Sequence, residues 1–185
     1  MKVLLLNGSR REKGCTYTAL SEIAQTLEKQ GIQAEIIHAV TEIIKSVAEK
    51  VKTADGLVVG SPVYWASPSG EIISFMDRLS SLAGKDLLHK PAAAVASARR
   101  AGTTATLDVL AKYFTYHQMP VVSANYWNVV HGNTPDEVKK DAEGMQIMRV
   151  LGNNMAWLLK CIEAGKNNGV QIPETEAKIM TNFIR

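Results

Sequence analysis

Cysteine is scarce in this chain: only Cys15 and Cys161 occur among 185 residues. Two thiols so far apart build no disulfide framework, and a metal centre needs more ligands than they supply. The histidines His38, His89 and His117 are too dispersed to form a ligand cluster. Long apolar runs are missing as well. The opening "MKVLLLNG" stops too soon for a signal peptide, and no stretch approaches the roughly 20 residues of a membrane span. Neither sign of charge dominates: 21 Lys and Arg face 18 Asp and Glu, a net +3, and Arg10-Arg11 and Arg99-Arg100 are the only arginine pairs. Nucleic-acid binding wants a dense stripe of cations, which this pattern does not offer. No G-x-S-x-G elbow occurs, and Cys15 has no obvious histidine partner, so hydrolase readings are weak. What remains is a cytoplasmic globular protein with a reduced interior, expected to form one domain over residues 1–185 with neither membrane nor nucleic acid as partner. Its 46% hydrophobic content is ample for one buried core.

Against those absences stands a regular alternation of apolar runs and helical patterns. Val3 to Leu6 reads as a buried strand stopped by Asn7-Gly8, and Leu20, Ile23, Ala24 and Leu27 then recur at helical spacing up to Gly31. Ala34 to Ile37 is a second strand. Thr41 is placed to cap a helix with Ile44, Val47, Ala48 and Val51 inside. Gly56 to Val59 is a third strand, wholly apolar, as a strand covered on both faces should be. Ser67 followed by Pro68 predicts a helix start, with Ile72, Met76 and Leu79 facing inward. Ala92 to Ala96 is a fourth strand, Leu107 to Phe114 lies on a helix, and Pro120 to Ser123 is a fifth strand. Thr134-Pro135-Asp136-Glu137 combines a cap, a first-turn proline and a capping-box glutamate. One long helix carrying Met145, Met148, Leu151, Met155, Leu158 and Ile162 follows. The tail after Gly169 is expected to be irregular, with a short helix near Glu174 to Met180. Strands that each lead into a helix imply an α/β parallel sheet wrapped on both faces. Ligands of such sheets bind beyond the carboxyl ends of the strands.

The informative residues should therefore lie in the strand-to-helix loops. The first, "NGSRREKGCTYT", offers Ser9, Thr16 and Thr18 hydroxyls, Gly8 and Gly14 for close backbone approach, and nearby cations, all at a helix start that favours an anion. It is not a Walker A loop, because five residues separate Gly8 from Gly14 and Cys15-Thr16 follows. It is not a dinucleotide fingerprint either, because the third close glycine is missing and His38 ends the second strand. A phosphate monoester site and a simple capped turn with solvated cations both suit it. The third loop, "GSPVYWASPSG", is odd for a connector: Tyr64 and Trp65 sit where side chains should face water. They can wall a planar ligand or cover an oligomer contact. "SARRAGTT" sets Arg99, Arg100 and Gly102 at another helix start, and Tyr126, Trp127, Asn128 and His131 crowd the last loop.

Taken together, "GSRREKGCTYT", "ADGLVVGSPVYWASPSGEIISFMDRL" and "HGNTPDEV" resemble the flavodoxin-like NAD(P)H-dependent FMN reductase family, which also takes in iron–sulfur flavoproteins and multimeric-flavodoxin quinone reductases. The resemblance runs from Met1 to about Ile162. It implies a flavodoxin-like three-layer sandwich, with a five-stranded parallel sheet in the order 2-1-3-4-5. FMN would be bound non-covalently, with NAD(P)H as co-substrate. Ser9, Arg10, Arg11, Gly14, Cys15, Thr16 and Thr18 would form the phosphate loop. Pro62, Val63, Tyr64, Trp65 and Ser67 would contact the ring and ribityl parts. Ser97, Arg99, Arg100, Gly102 and Tyr126 would border the ring from the far side. Hydride would pass from the nicotinamide to FMN and on to a small-molecule acceptor such as a quinone or free flavin, within a homodimer or homotetramer. An electron carrier with no nicotinamide reaction of its own is the other reading, although such carriers are typically strongly acidic. Iron–sulfur relatives carry a compact cysteine cluster after the second strand; here "EIIHAVTEIIKSVAEK" has none.

Overall fold

A computed structural model describes residues 1–181 and 183. The parallel strands are β1 (Lys2–Asn7), β2 (Gln33–His38), β3 (Gly56–Tyr64), β5 (Ala92–Ala98) and β6 (Val129–His131), lying in the order β2-β1-β3-β5-β6. Counting parallel strands alone, this is the 2-1-3-4-5 order. A two-residue strand β4 (Ser67–Pro68) pairs antiparallel with the end of β3. Every β1 residue from Val3 to Asn7 is buried, as is β5 throughout, because helices cover both faces. On one face α1 (Cys15–Lys29) packs against α6 (Ala142–Asn167), sealing Val3, Leu5, Val58, Ala93 and Val95 beneath Leu20, Ile23, Met148 and Leu151. On the other, α2 (Ile44–Thr53), α3 (Gly70–Leu87) and α4 (Thr103–Tyr116) cover Leu4, Leu6, Leu57 and Val59 with Val47, Phe75, Leu79, Leu110 and Phe114. No described helix is long and apolar enough to cross a membrane.

Several local expectations need correction. The helix after β3 starts at Gly70, not Pro68. Ser69 is its N-cap and accepts from the Ile72 amide, while Ser67 and Pro68 belong to the hairpin. Thr41 does not cap α2; its N-cap position is Ile43, with no side-chain bond. The fifth parallel strand is split. Val121 makes an isolated bridge to Ala92, and regular pairing resumes at Val129 against Ala96. Asn128 brings the chain back, its carbonyl accepting from Ala96 and its side-chain amide donating to the Ala94 carbonyl. Thr134 does cap α5 (Pro135–Lys140), but Glu137 reaches the Asn133 amide rather than closing on Thr134 itself. The single long helix is two, because Asp141 interrupts it and caps α6 through the Gly144 amide. No helix forms over residues 174–180, which have no regular structure. A segment of that length without a packed face cannot sustain a helix alone.

Candidate functional site

The sheet register fixes where the loops emerge. Asn7 lies beside Gly60, Gly60 beside Val95, and Ser97 beside Val130, so the loops after β1, β3, β5 and β6 leave one edge together. That edge is the carboxyl end of every parallel strand, where α/β sheets bind ligands.

Asn7 starts the first loop and organises it. Fully buried, it accepts from the Ser9 amide at 3.1 Å and donates to the Glu12 carbonyl at 2.8 Å, an Asx turn. Ser9 continues the pattern by accepting from the Arg11 amide. His38, at the end of β2, donates from Nε2 to the Ser9 carbonyl at 2.7 Å, which leaves Nδ1 to accept from Thr41 in the neutral ring. Gly8 is required by packing, since a Cβ there would lie 2.5 Å from that of Ile72. Its amide donates to the Gly60 carbonyl and its carbonyl accepts from Ser69, which ties the loop to β3 and α3.

Gly14 is the N-cap of α1 and no side chain caps that helix. The first-turn amides of Cys15, Thr16 and Tyr17 therefore present the positive end of the helix to whatever lies beyond. This fits a phosphate. Burial pushes the Cys15 thiol up, so the thiol stays neutral and adds no anion beside one. The Cys15 Sγ sits 3.7 Å from the Gly132 carbonyl, linking this loop to the last one. Thr16 is buried with its hydroxyl 2.8 Å from that of Ser97, at the end of β5. The Thr18 hydroxyl, also buried, donates to the Gly14 carbonyl and so is engaged within the helix itself. Arg11 is exposed, its carbonyl receiving the Gly14 amide, and Arg10 is exposed and paired with Glu71.

The question of the aromatic connector has a geometric answer. Val63 pairs with Pro68 and Tyr64 with Ser67, so residues 62–68 form a hairpin whose two-residue tip is Trp65-Ala66. Both tip residues have positive φ, 53° and 57°, the requirement of a type I′ turn normally met by Asn-Gly. Trp65 is completely exposed and Tyr64 borders the same mouth. Gly102, at φ 91°, packs beneath this tip: a Cβ there would lie 2.7 Å from the Ala66 Cα. Pro62 and Val63 are half-buried at its base. Arg99 and Arg100 are exposed on the next loop, and His131 Nε2 donates to the Arg100 carbonyl. Tyr126 stands on the excursion within the split strand, its ring edge-on to Trp127 at 4.8 Å. A crevice of about 400 Å³ is lined by Arg10, Tyr64, Trp65, Pro68, Gly70 and Glu71. Sequence reasoning passed over Asn7, Ser69 and Glu71. Asn directly after an apolar run was a usable signal for the first; nothing local marks Glu71, whose importance comes from its distant partner.

This sheet order with loops converging on one edge defines a flavodoxin-like α/β protein, and comparison with known proteins agrees. A solved flavodoxin, a WrbA-like protein from Agrobacterium tumefaciens, superposes with a TM-score of 0.70 at 17% identity, covering 86% of this chain and 97% of that one. An iron–sulfur flavoprotein of Methanocaldococcus jannaschii is 29% identical over 192 residues, 88% of this chain and 100% of that protein. An NADPH azoreductase of Bacillus sp. is 31% identical over 108 residues, 53% of this chain and 59% of that protein. The family described as NADPH-dependent FMN reductase matches residues 1–134. The chain belongs to that family, and is accordingly a flavoprotein that uses FMN and NADPH.

Proposed function

We propose that this protein takes hydride from NAD(P)H and passes the electrons, by way of FMN, to a small-molecule acceptor such as a quinone, a free flavin or an azo compound. The observation that carries the reading is the convergence of an uncapped helix start at Gly14, an aromatic hairpin at Tyr64-Trp65 and an arginine loop at Arg99-Arg100 on one sheet edge. FMN, when bound, supplies the two-electron chemistry. The chain positions it. Ser9, Arg10, Arg11, Gly14, Cys15 and Thr16 hold the phosphate, with Thr18 acting through the Gly14 carbonyl. Pro62 to Trp65 and Ser67 flank the ring, and Ser97, Arg99, Arg100, Gly102 and Tyr126 close the opposite border. No side chain acts as an obligate acid or base. A second copy of the chain covers the fully exposed Trp65 and the Tyr126–Trp127 pair in a homodimer or homotetramer.

The test is spectroscopic. The purified, FMN-loaded protein should lose its visible flavin absorbance when NADPH or NADH is added without oxygen, and regain it on addition of a quinone. A yellow protein that ignores both donors but bleaches with dithionite would be an electron carrier. A colourless protein that takes up no added FMN would end both readings.

A further inference from the structure

Arg10 crosses from the first loop to the start of α3, where its Nε donates to Glu71 Oε1. The two ends of this ion pair differ. The Arg10 side chain is 71% exposed and that of Glu71 24%. Glu71 lies in the first turn of its helix, where the positive end of the helix dipole favours a carboxylate. With the Arg10 guanidinium as the largest cause and its own backbone amide next, its carboxyl titrates below the ordinary range. Glu71 is therefore the fixed partner and Arg10 the movable arm. Both line the crevice that also contains Tyr64, Trp65, Pro68 and Gly70, and Arg10 is attached to the loop that ends in the uncapped start of α1.

We propose that Glu71 is a built-in competitor for the FMN phosphate: it holds Arg10 on the α3 side of the crevice, and Arg10 leaves that carboxylate for the phosphate when FMN loads. The inference deepens the preceding reading and rests on Arg10 being a phosphate ligand there. Two effects of Glu71 oppose the phosphate. The carboxylate occupies guanidinium donors that would otherwise meet the phosphate oxygens, and it leaves a fixed negative charge facing an incoming dianion. Because Arg10 is largely solvated, the pair is easily opened. Glu71 thus does not block loading; it sets how tightly FMN is retained.

The measurement is FMN titrated into the apoprotein, followed by quenching of flavin fluorescence. Glu71→Gln keeps the side chain's size and removes its charge. It should tighten FMN binding by roughly two- to fivefold, the range expected from one exposed ion pair. Riboflavin, which has no phosphate, should bind the variant and the parent equally. Arg10→Ala should weaken FMN binding, and in that background Glu71→Gln should lose most of its effect. If Glu71→Gln leaves FMN affinity unchanged or weakens it while Arg10→Ala weakens it, the competitor role is wrong and Glu71 merely supports Arg10. If riboflavin gains as much as FMN, Glu71 acts on the ring and the proposal falls. If Arg10→Ala changes nothing, the phosphate role of Arg10 fails first and the competitor role with it.

Discussion

The hydroxyls of Thr16 and Ser97 meet 2.8 Å apart in the buried floor beneath the converging loops. Thr16 belongs to the first turn of α1 and Ser97 to the end of β5, 81 positions further along the chain. This contact ties the helix start to the fourth loop. Removing either partner strands a buried hydroxyl, which costs about 1–3 kcal/mol. Thr16→Val and Ser97→Ala should each lower stability by an amount in that range, and the double variant by clearly less than their sum. Urea unfolding of the four proteins reads the coupling directly. Strict additivity would mean that the contact does not join the two elements.

Gly102 is the second point at which loops touch. Its φ of 91° disfavours any other residue, and a Cβ would press against the Ala66 Cα. Gly102→Ala should cost about 1–3 kcal/mol and displace the hairpin tip. Gly70 provides the control. Nothing lies within 4 Å of a Cβ there and no positive φ is involved, so Gly70→Ala at this first helical position should be neutral or stabilising by up to about 1 kcal/mol. Thermal melts of the two variants should move in opposite directions, or at least differ by several degrees.

The layered sheet was legible because its signals are redundant. The runs Val3–Leu6 and Ala92–Ala96 are apolar at every position and each leads into a helical repeat, the pattern of strands in a covered parallel sheet. The hairpin was not legible, since its turn carries Trp-Ala where the chemistry of a primed turn asks for Asn or Gly. Ser67-Pro68 also imitates the helix start that Ser69-Gly70 provides. The break between α5 and α6 was hidden because both halves share one apolar stripe, with Val138 and Met148 buried in the same core. In the site, residue types pointed to the right loops. The partnerships Thr16–Ser97, His38–Ser9 and Arg10–Glu71 depend on register between strands, which no local pattern reports.

Trp65 stands in a left-handed conformation while fully exposed, so no packing among the described residues offsets a cost of about 1–2 kcal/mol. Asparagine tolerates that conformation. Trp65→Asn should therefore raise the unfolding free energy by about 0.5–1 kcal/mol and, if Trp65 flanks the ring as proposed, weaken FMN retention at the same time. Stability and flavin affinity moving in opposite directions would show a strained residue kept for function. If stability falls instead, Trp65 has packing that the isolated chain does not provide.

His117 carries an acid-side prediction distinct from that of the carboxylates. Its ring closes over Gly84, where a Cβ would lie 2.8 Å from the histidine Cε1, and its buried Nε2 has no hydrogen-bond partner among the described residues. Burial lowers its pKa below the ordinary 6.5. Between those two values the unfolded chain binds a proton that the folded chain refuses, so stability must fall as pH drops through 6.5 toward the folded value. Glu35, held by Lys2 and Lys50, and Glu71, held by Arg10, lose their contributions only as pH falls below about 4.5. The two windows open at different pH, the first at 6.5 and the second at about 4.5. His117→Phe keeps an aromatic ring on Gly84 and removes the titration. Its stability, followed by urea unfolding, should be nearly flat from pH 7 to 5 while the parent loses stability over that interval, and both should decline together below pH 4.5. Parallel curves for the two proteins across pH 7 to 5 would remove His117 as the origin of the acid sensitivity.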